Sequence, residues 1–242
     1  YPIEIQALWY NAVRALSEWY RDEHEWRAWK DKIRDSILKY FPVVKENLSM
    51  VFNRETYLSD CLHTEGFQPA SRAKADDHLR PNQLLAITLG AVEDSKVCSG
   101  MLSACEQLIV PGAIRTLADR KTEYPLGVYH NDHLLNDPHH PYMGKYLGDE
   151  DHSRKPAYHN GTAWTWPFPS YCEALVKIFG ENAMQTSRDI LSTSMTLMNE
   201  GCIAQLPEIL DGNHPHSQRG CYAQAWAITE FYRVARLLKL MK

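Results

Sequence analysis

The sequence predicts an all-α fold of about seven helices, and three observations carry that prediction. Apolar residues recur at intervals of three and four through most of the chain, the spacing that places them on one helix face. Helix punctuation brackets these runs, with Pro or Asp at their starts and Gly at their ends, where each residue type suits the backbone geometry. Strand-like stretches are confined to residues 49 to 58 and to residues 108 to 110.

Taken in order, EIQALWYNAVRALSEWY (4 to 20) sets Leu8, Ala12, Ala15, Leu16 and Trp19 on one stripe. WRAWKDKIRDSILKYF (26 to 41) does the same with Trp29, Ile33, Ile37 and Tyr40, so the first two helices are expected to form an antiparallel pair. RPNQLLAITLGAV (80 to 92) places Pro81 in a first turn, and SKVCSGMLSACEQL (95 to 108) follows Asp94 as N-cap. TAWTWPFPSYCEALVKIFG (162 to 180) carries Pro167 and Pro169 early and closes on Gly180, and NAMQTSRDILSTSMTLMNEG (182 to 201) closes on Gly201. The last helix, RGCYAQAWAITEFYRVARLLK (219 to 239), is expected to bury Ala223, Trp226, Phe231, Val234 and Leu238. Residues 47 to 79, 109 to 161 and 202 to 218 follow neither period. Loops of this length in a compact protein are usually functional.

A chain of 242 residues with 44% hydrophobic content can bury one substantial core, so a single domain is expected. The net charge of −4, without a dense Lys or Arg run, argues against nucleic acid as a partner. No apolar run is long enough to span a bilayer and residues 1 to 20 lack a signal-peptide pattern, so a soluble, cytoplasmic protein is expected. The six cysteines, Cys61, Cys98, Cys105, Cys172, Cys202 and Cys221, show no CxxC spacing and read as reduced. The first residues, YPIEIQALWYN, lack Met and enter a helical pattern at once, which reads as a cut rather than a natural start.

Four polar segments are candidate sites. HNGTAWTWPF (159 to 168) combines His159, Asn160 and Thr162 with Trp164 and Trp166. Indole faces pack on the C–H face of a pyranose while amide, imidazole and hydroxyl groups bond its hydroxyls, so the mixture suits a sugar subsite. The competing reading makes both tryptophans core residues of a helix start, although positions i and i+2 do not share a helix face. DDHLRPNQ (76 to 83) sets Arg80 and Asn82 near two Asp at a helix start, which fits either sugar recognition or plain capping. NDHLLNDPHHPYMG (131 to 144) gathers His133, His139 and His140, but its spacing matches no metal-ligand pattern, and no metal or other cofactor is expected. LPEILDGNHPHSQRG (206 to 220) holds Glu208 and Asp211 in a turn-forming context. A general base needs such a fixed carboxylate near water; a solvated acidic turn is the alternative.

YPIEIQALWYNAV, LRPNQLLAI, AYHNGTAWTWPF and LPEILDGNHPHSQRGCYAQAW, in this order, resemble the C-terminal glucosidase module of glycogen debranching enzymes in its bacterial and archaeal amylo-α-1,6-glucosidase form. The resemblance runs from Pro2 to Trp226. It implies an (α/α)6 barrel related to glucoamylase, of which this chain holds a C-terminal portion with N-terminal helices missing. It implies inverting hydrolysis of the single α-1,6-linked glucose at a branch point of glycogen or limit dextrin. Glu208 falls where the family places its general base, and Arg80, Asn82, His159, Trp164 and Trp166 fall where it builds the glucose subsite. The general acid is implied to be an Asp in a Trp-Met-Asp-Ala stretch preceding the segment that here begins the chain. The partners so implied are a branched α-glucan and the remainder of the same enzyme, with an exposed apolar face where missing helices pack. Two alternatives follow: a related α-glucosidase with another linkage preference, and a glucan-binding fragment without catalysis.

Overall fold

The computed structural model describes residues 1–21, 24–46 and 54–241. They divide into two compact units, Tyr1–Ala104 and Cys105–Lys242. Helices dominate both, but each also holds small antiparallel sheets, so the all-α expectation is corrected to a helix-rich mixed fold.

In the first unit, α1 (Ile3–Trp19) packs against α2 (His24–Tyr40). The face of α1 that enters the core is Ile3, Ala7, Tyr10 and Val13, meeting Ile33 and Ile37 as the buried residues of α2. This reverses the expected face: Leu8 is 49% and Trp19 76% exposed. Helix α1 carries two apolar stripes, and both obey the 3.6-residue period. Periodicity therefore identifies a face without saying which face is covered. On α2, Trp29 also points outward, with the Lys32 ammonium over its ring at 4.8 Å.

Strand β1 (Pro42–Glu46) pairs antiparallel with β2 (Arg54–Leu58), in register from Pro42↔Leu58 to Glu46↔Arg54. The expected strand over 49 to 58 thus holds in its second half; residues 49 to 53 lie outside the described ones. A second ladder joins β3 (Leu62–His63) to β4 (Lys74–Ala75). The helix expected over 80 to 92 contracts to a 3-10 turn at Pro81–Gln83 followed by α3 (Leu84–Thr88). Helix α4 (Ser95–Glu106) begins as expected, with the Asp94 carboxylate accepting from the Val97 N–H at 2.9 Å. The division between the units falls in its last turn.

The second unit opens with β5 (Ile109–Val110) and β6 (Ala113–Arg115), and a small hairpin of β7 (Tyr129–His130) and β8 (His133–Leu134) follows. Helix α5 (Lys155–Tyr158) leads into β9 (Ala163–Trp164). The helical elements α6 (Phe168–Phe179), α7 (Met184–Ser192) and α8 (Ser194–Leu197) precede β10 (Ile209–Leu210) and β11 (Gln218–Arg219), and α9 (Ala225–Leu237) comes last. Five of these strands form one antiparallel sheet in the order β11-β10-β9-β6-β5. Helices α6, α7 and α9 pack together on Phe168, Tyr171, Leu191, Phe231 and Val234.

Three expected helix boundaries move. The helix expected from 162 starts at Phe168, because Ala163 and Trp164 pair with β6 and β10. The one expected over 182 to 201 is interrupted at Thr193. The one expected from 219 starts at Ala225, because β11 and the residues after it bond back onto β10 and the residue before it. Phe231, Val234 and Leu238 are buried as expected, whereas Ala223 and Trp226 are exposed. Among the described residues no helix is long and apolar enough to cross a membrane, and the six cysteines are unpaired with one another.

Candidate active site

Glu208 sits one residue before β10, the strand between β11 and β9 in the five-stranded sheet. Its backbone is held from both sides: its N–H donates to the Cys221 carbonyl at 2.7 Å, and its carbonyl accepts from the Thr165 N–H at 3.4 Å. The side chain is held as well. Oε2 accepts from the Cys221 N–H at 3.0 Å, and Oε1 accepts a short hydrogen bond from the Tyr158 hydroxyl. Gly220 makes the first of these possible. Its φ of +68° is one that other residues adopt with strain, and a Cβ there would lie 2.3 Å from Oε2, well inside contact distance.

Tyr158 ends α5 and is wedged among rings. Its centroid lies 4.6 Å from His159, 4.8 Å from Trp164 and 5.6 Å from Tyr146. Burial, and then the Glu208 carboxylate, push the Tyr158 phenol well above its ordinary range, so at neutral pH it keeps its proton and acts as a donor.

The aromatic residues continue as a wall. His159 stacks on Trp164 at 5.2 Å and 19°, and the Trp164 indole N–H donates to the Tyr158 carbonyl at 2.9 Å. Trp166 stacks on Trp226 at 5.0 Å and 26°, and Trp164 meets Trp226 edge-on at 6.3 Å. The spacing that excluded a shared helix face is resolved by the backbone. Trp164 lies on a strand and Trp166 just beyond it, and on extended chain residues i and i+2 point to one side. Trp164 is only 5% exposed and forms the base of the wall, whereas Trp226 is 48% exposed and forms its rim.

Asp211 is committed elsewhere. Its buried carboxylate accepts from the Tyr146 N–H at 2.8 Å through Oδ1, and from Arg219 Nε and Nη2 at 3.0 and 2.8 Å through Oδ2. These bonds tie the 211 to 219 turn to the loop before α5, so Asp211 is a brace for the segment that carries Glu208. Asp149 and Asp151 are also unsuited to donate a proton. A hydrogen bond with the His152 ring, helped by backbone N–H groups, holds the exposed Asp149 carboxyl at about 2, and the Lys155 ammonium lowers that of Asp151. The histidines tie down loops: His139 Nδ1 lies 3.0 Å from the Thr122 carbonyl, and His140 Nε2 lies 2.8 Å from Asp119. Among the described residues no three His, Cys, Asp or Glu converge as a metal-binding group.

In the first unit, Arg80 and Asn82 share one carboxylate. Asp60 accepts from Asn82 Nδ2 at 2.9 Å and pairs with Arg80 Nε at 3.4 Å. Burial raises the Asp60 carboxyl despite this pairing. Beneath it, burial also acts to raise Asp76, but hydrogen bonds from His78, His63 and Ser59 outweigh that effect and hold its carboxyl at about 2. The structure therefore brings His159, Trp164, Trp166 and Glu208 into one cluster in the second unit, and joins Arg80 to Asn82 in the first. Tyr158, Cys221, Trp226 and Asp60 were not singled out from the sequence as site residues. Tyr158 and Trp226 lie inside the quoted motifs AYHNG and CYAQAW, and a helical pattern over the latter concealed the role of Trp226. Cys221 lies inside the second of these motifs as well, and Asp60 carried no signal of its own.

A carboxylate fixed beside an indole wall is an arrangement suited to carbohydrate chemistry, and residues 1–233 match the model of a glycoside hydrolase domain described as amylo-alpha-1,6-glucosidase. The chain belongs to the amylo-α-1,6-glucosidase family. A comparison with curated proteins found no match.

Proposed function

We propose that this chain is the C-terminal portion of an (α/α)6-barrel glucosidase domain that hydrolyses α-1,6-linked glucose at branch points of glycogen or limit dextrin, with inversion. The observation that carries this reading is the double restraint of the Glu208 carboxylate, through Tyr158 and the Cys221 N–H, beside the Trp164, Trp166 and Trp226 wall. Glu208 is the general base. It takes a proton from water as that water attacks the anomeric carbon from the face opposite the leaving oxygen. His159, Trp164 and Trp166 contact the glucose ring, and the family resemblance gives Arg80 and Asn82, which Asp60 orients, a sugar-binding role.

Inversion requires a second carboxyl group about 6.5–9.5 Å from the base, leaving room for the water. Asp211 is occupied as a brace and Asp149 and Asp151 stay ionised; the family resemblance implies that the acid is an Asp of the parent enzyme that precedes the residues of this chain. Glu208→Gln in the intact parent enzyme is expected to reduce glucose release from a branched limit dextrin by about 10²- to 10⁴-fold. Normal turnover by that variant would remove Glu208 from the mechanism. Glucose released first as the β anomer, followed by NMR, is the expected stereochemical signature; α-glucose would rule out inversion.

A further inference from the structure

We infer that Tyr158 is a positioning residue for the Glu208 base: its hydroxyl holds Oε1 so that the carboxylate is fixed for proton abstraction. The inference rests on the reading of Glu208 as base. Two restraints define the carboxylate plane, the Cys221 N–H on Oε2 at 3.0 Å and the Tyr158 hydroxyl on Oε1. The first is backbone and comes from the same residue whose carbonyl receives the Glu208 N–H, so it fixes one oxygen with no side-chain freedom. A single bond of this kind leaves the carboxylate free to pivot about the held oxygen. The Tyr158 hydroxyl removes that freedom, because its own ring is held by contacts with His159, Trp164 and Tyr146.

The arrangement also limits what Tyr158 does. A phenol that remains protonated donates to the carboxylate and does not compete for the proton of the attacking water. Each carboxylate oxygen keeps a further lone pair after these bonds, and one of these receives the water proton. The groups around the hydroxyl are the Glu208 carboxylate itself, the Tyr146 phenol and the His159 imidazole, while the Cys221 thiol donates to the Ala223 carbonyl at 3.3 Å. His159 is exposed and stacked on Trp164, and its ring meets Tyr158 edge-on rather than through the hydroxyl.

Tyr158→Phe removes the hydroxyl and keeps the ring. In the intact parent enzyme it is expected to lower kcat about 10- to 100-fold, the range for one lost hydrogen bond to a charged group, with KM changed less than about threefold. Added to Glu208→Gln, the same change is expected to have no further effect, since Tyr158 acts through the base. Three results would overturn the inference: kcat at the parent level, a loss confined to KM, or a full additive loss on top of Glu208→Gln. Failure of the underlying reading looks different, because Glu208→Gln would then itself turn over normally.

Discussion

At the scale of single residues, the arrangement of buried charge matters more than its amount. Asp76 and Asp60 are neighbours in the first unit and shift in opposite directions. Asp76 is surrounded by donors from Ser59, His63 and the Asp60 N–H, which favour its ionised form over the neutral one. Its carboxyl therefore titrates at about 2 against an ordinary 3.8. Because the folded value lies below the unfolded one, the stabilisation is complete above about pH 4 and disappears as pH falls through about 2. Asp76→Asn is expected to lower unfolding free energy by on the order of 2 kcal/mol near neutral pH. The gap between variant and parent should close on acidification from pH 5 toward pH 2.5, as followed by urea unfolding; a pH-independent gap would show that packing, not charge, is what Asp76 supplies. Glu208 and Asp211 teach the same lesson from the sequence side. The family resemblance marks Glu208 as the base and the turn context leaves Asp211 to shape the backbone, and the partners of each carboxylate show how the two differ.

At the scale of elements, boundaries were set by whichever hydrogen-bond partner was nearer in space. Helices α1, α2 and α4 have ends close to those read from the sequence and α6 keeps its C-terminal end, where Asp94 caps the start of α4 and Gly180, with φ +62°, closes α6. These signals are local, so they survive folding. The first residues of the helices expected at 162 and 219 were instead drawn into the five-stranded sheet. Its strands are two or three residues long, too short to show an alternating pattern. The α1 and α2 pair offers a direct test of which residues hold an element. Ile37→Ala is expected to cost about 2–5 kcal/mol, whereas Trp29→Ala, on the outer face, should stay within about 0.5 kcal/mol. Thermal or denaturant unfolding of the two variants checks the order, and equal losses would contradict the packing described for α2.

At the scale of the whole molecule, the feature that stands out is the outer face of α1. Ile5, Leu8, Trp9 and Trp19 are all at least 47% exposed, and they recur at helical spacing along one side. A contiguous apolar stripe of this kind favours association with another surface. Replacing Leu8 and Trp9 with Lys and Gln is expected to reduce self-association without altering unfolding free energy, because neither side chain enters the core. Light scattering across a concentration series would show the effect; unchanged scattering would mean that the stripe does not drive association.

The chemistry-bearing residues were legible as motifs because their residue types are themselves the chemistry: a carboxylate in a turn, tryptophans beside an imidazole, an Arg and an amide before a helix. Local caps and periods likewise located most helices. Which stripe of α1 is covered, which carboxylate of the 206 to 220 segment is left beside the aromatic wall, and that Tyr158 and Trp226 join it, depend on contacts between residues far apart in the chain. Tyr158 and Glu208 are 50 positions apart, and no local pattern encodes a hydrogen bond whose two ends meet only when β9 and β10 pair.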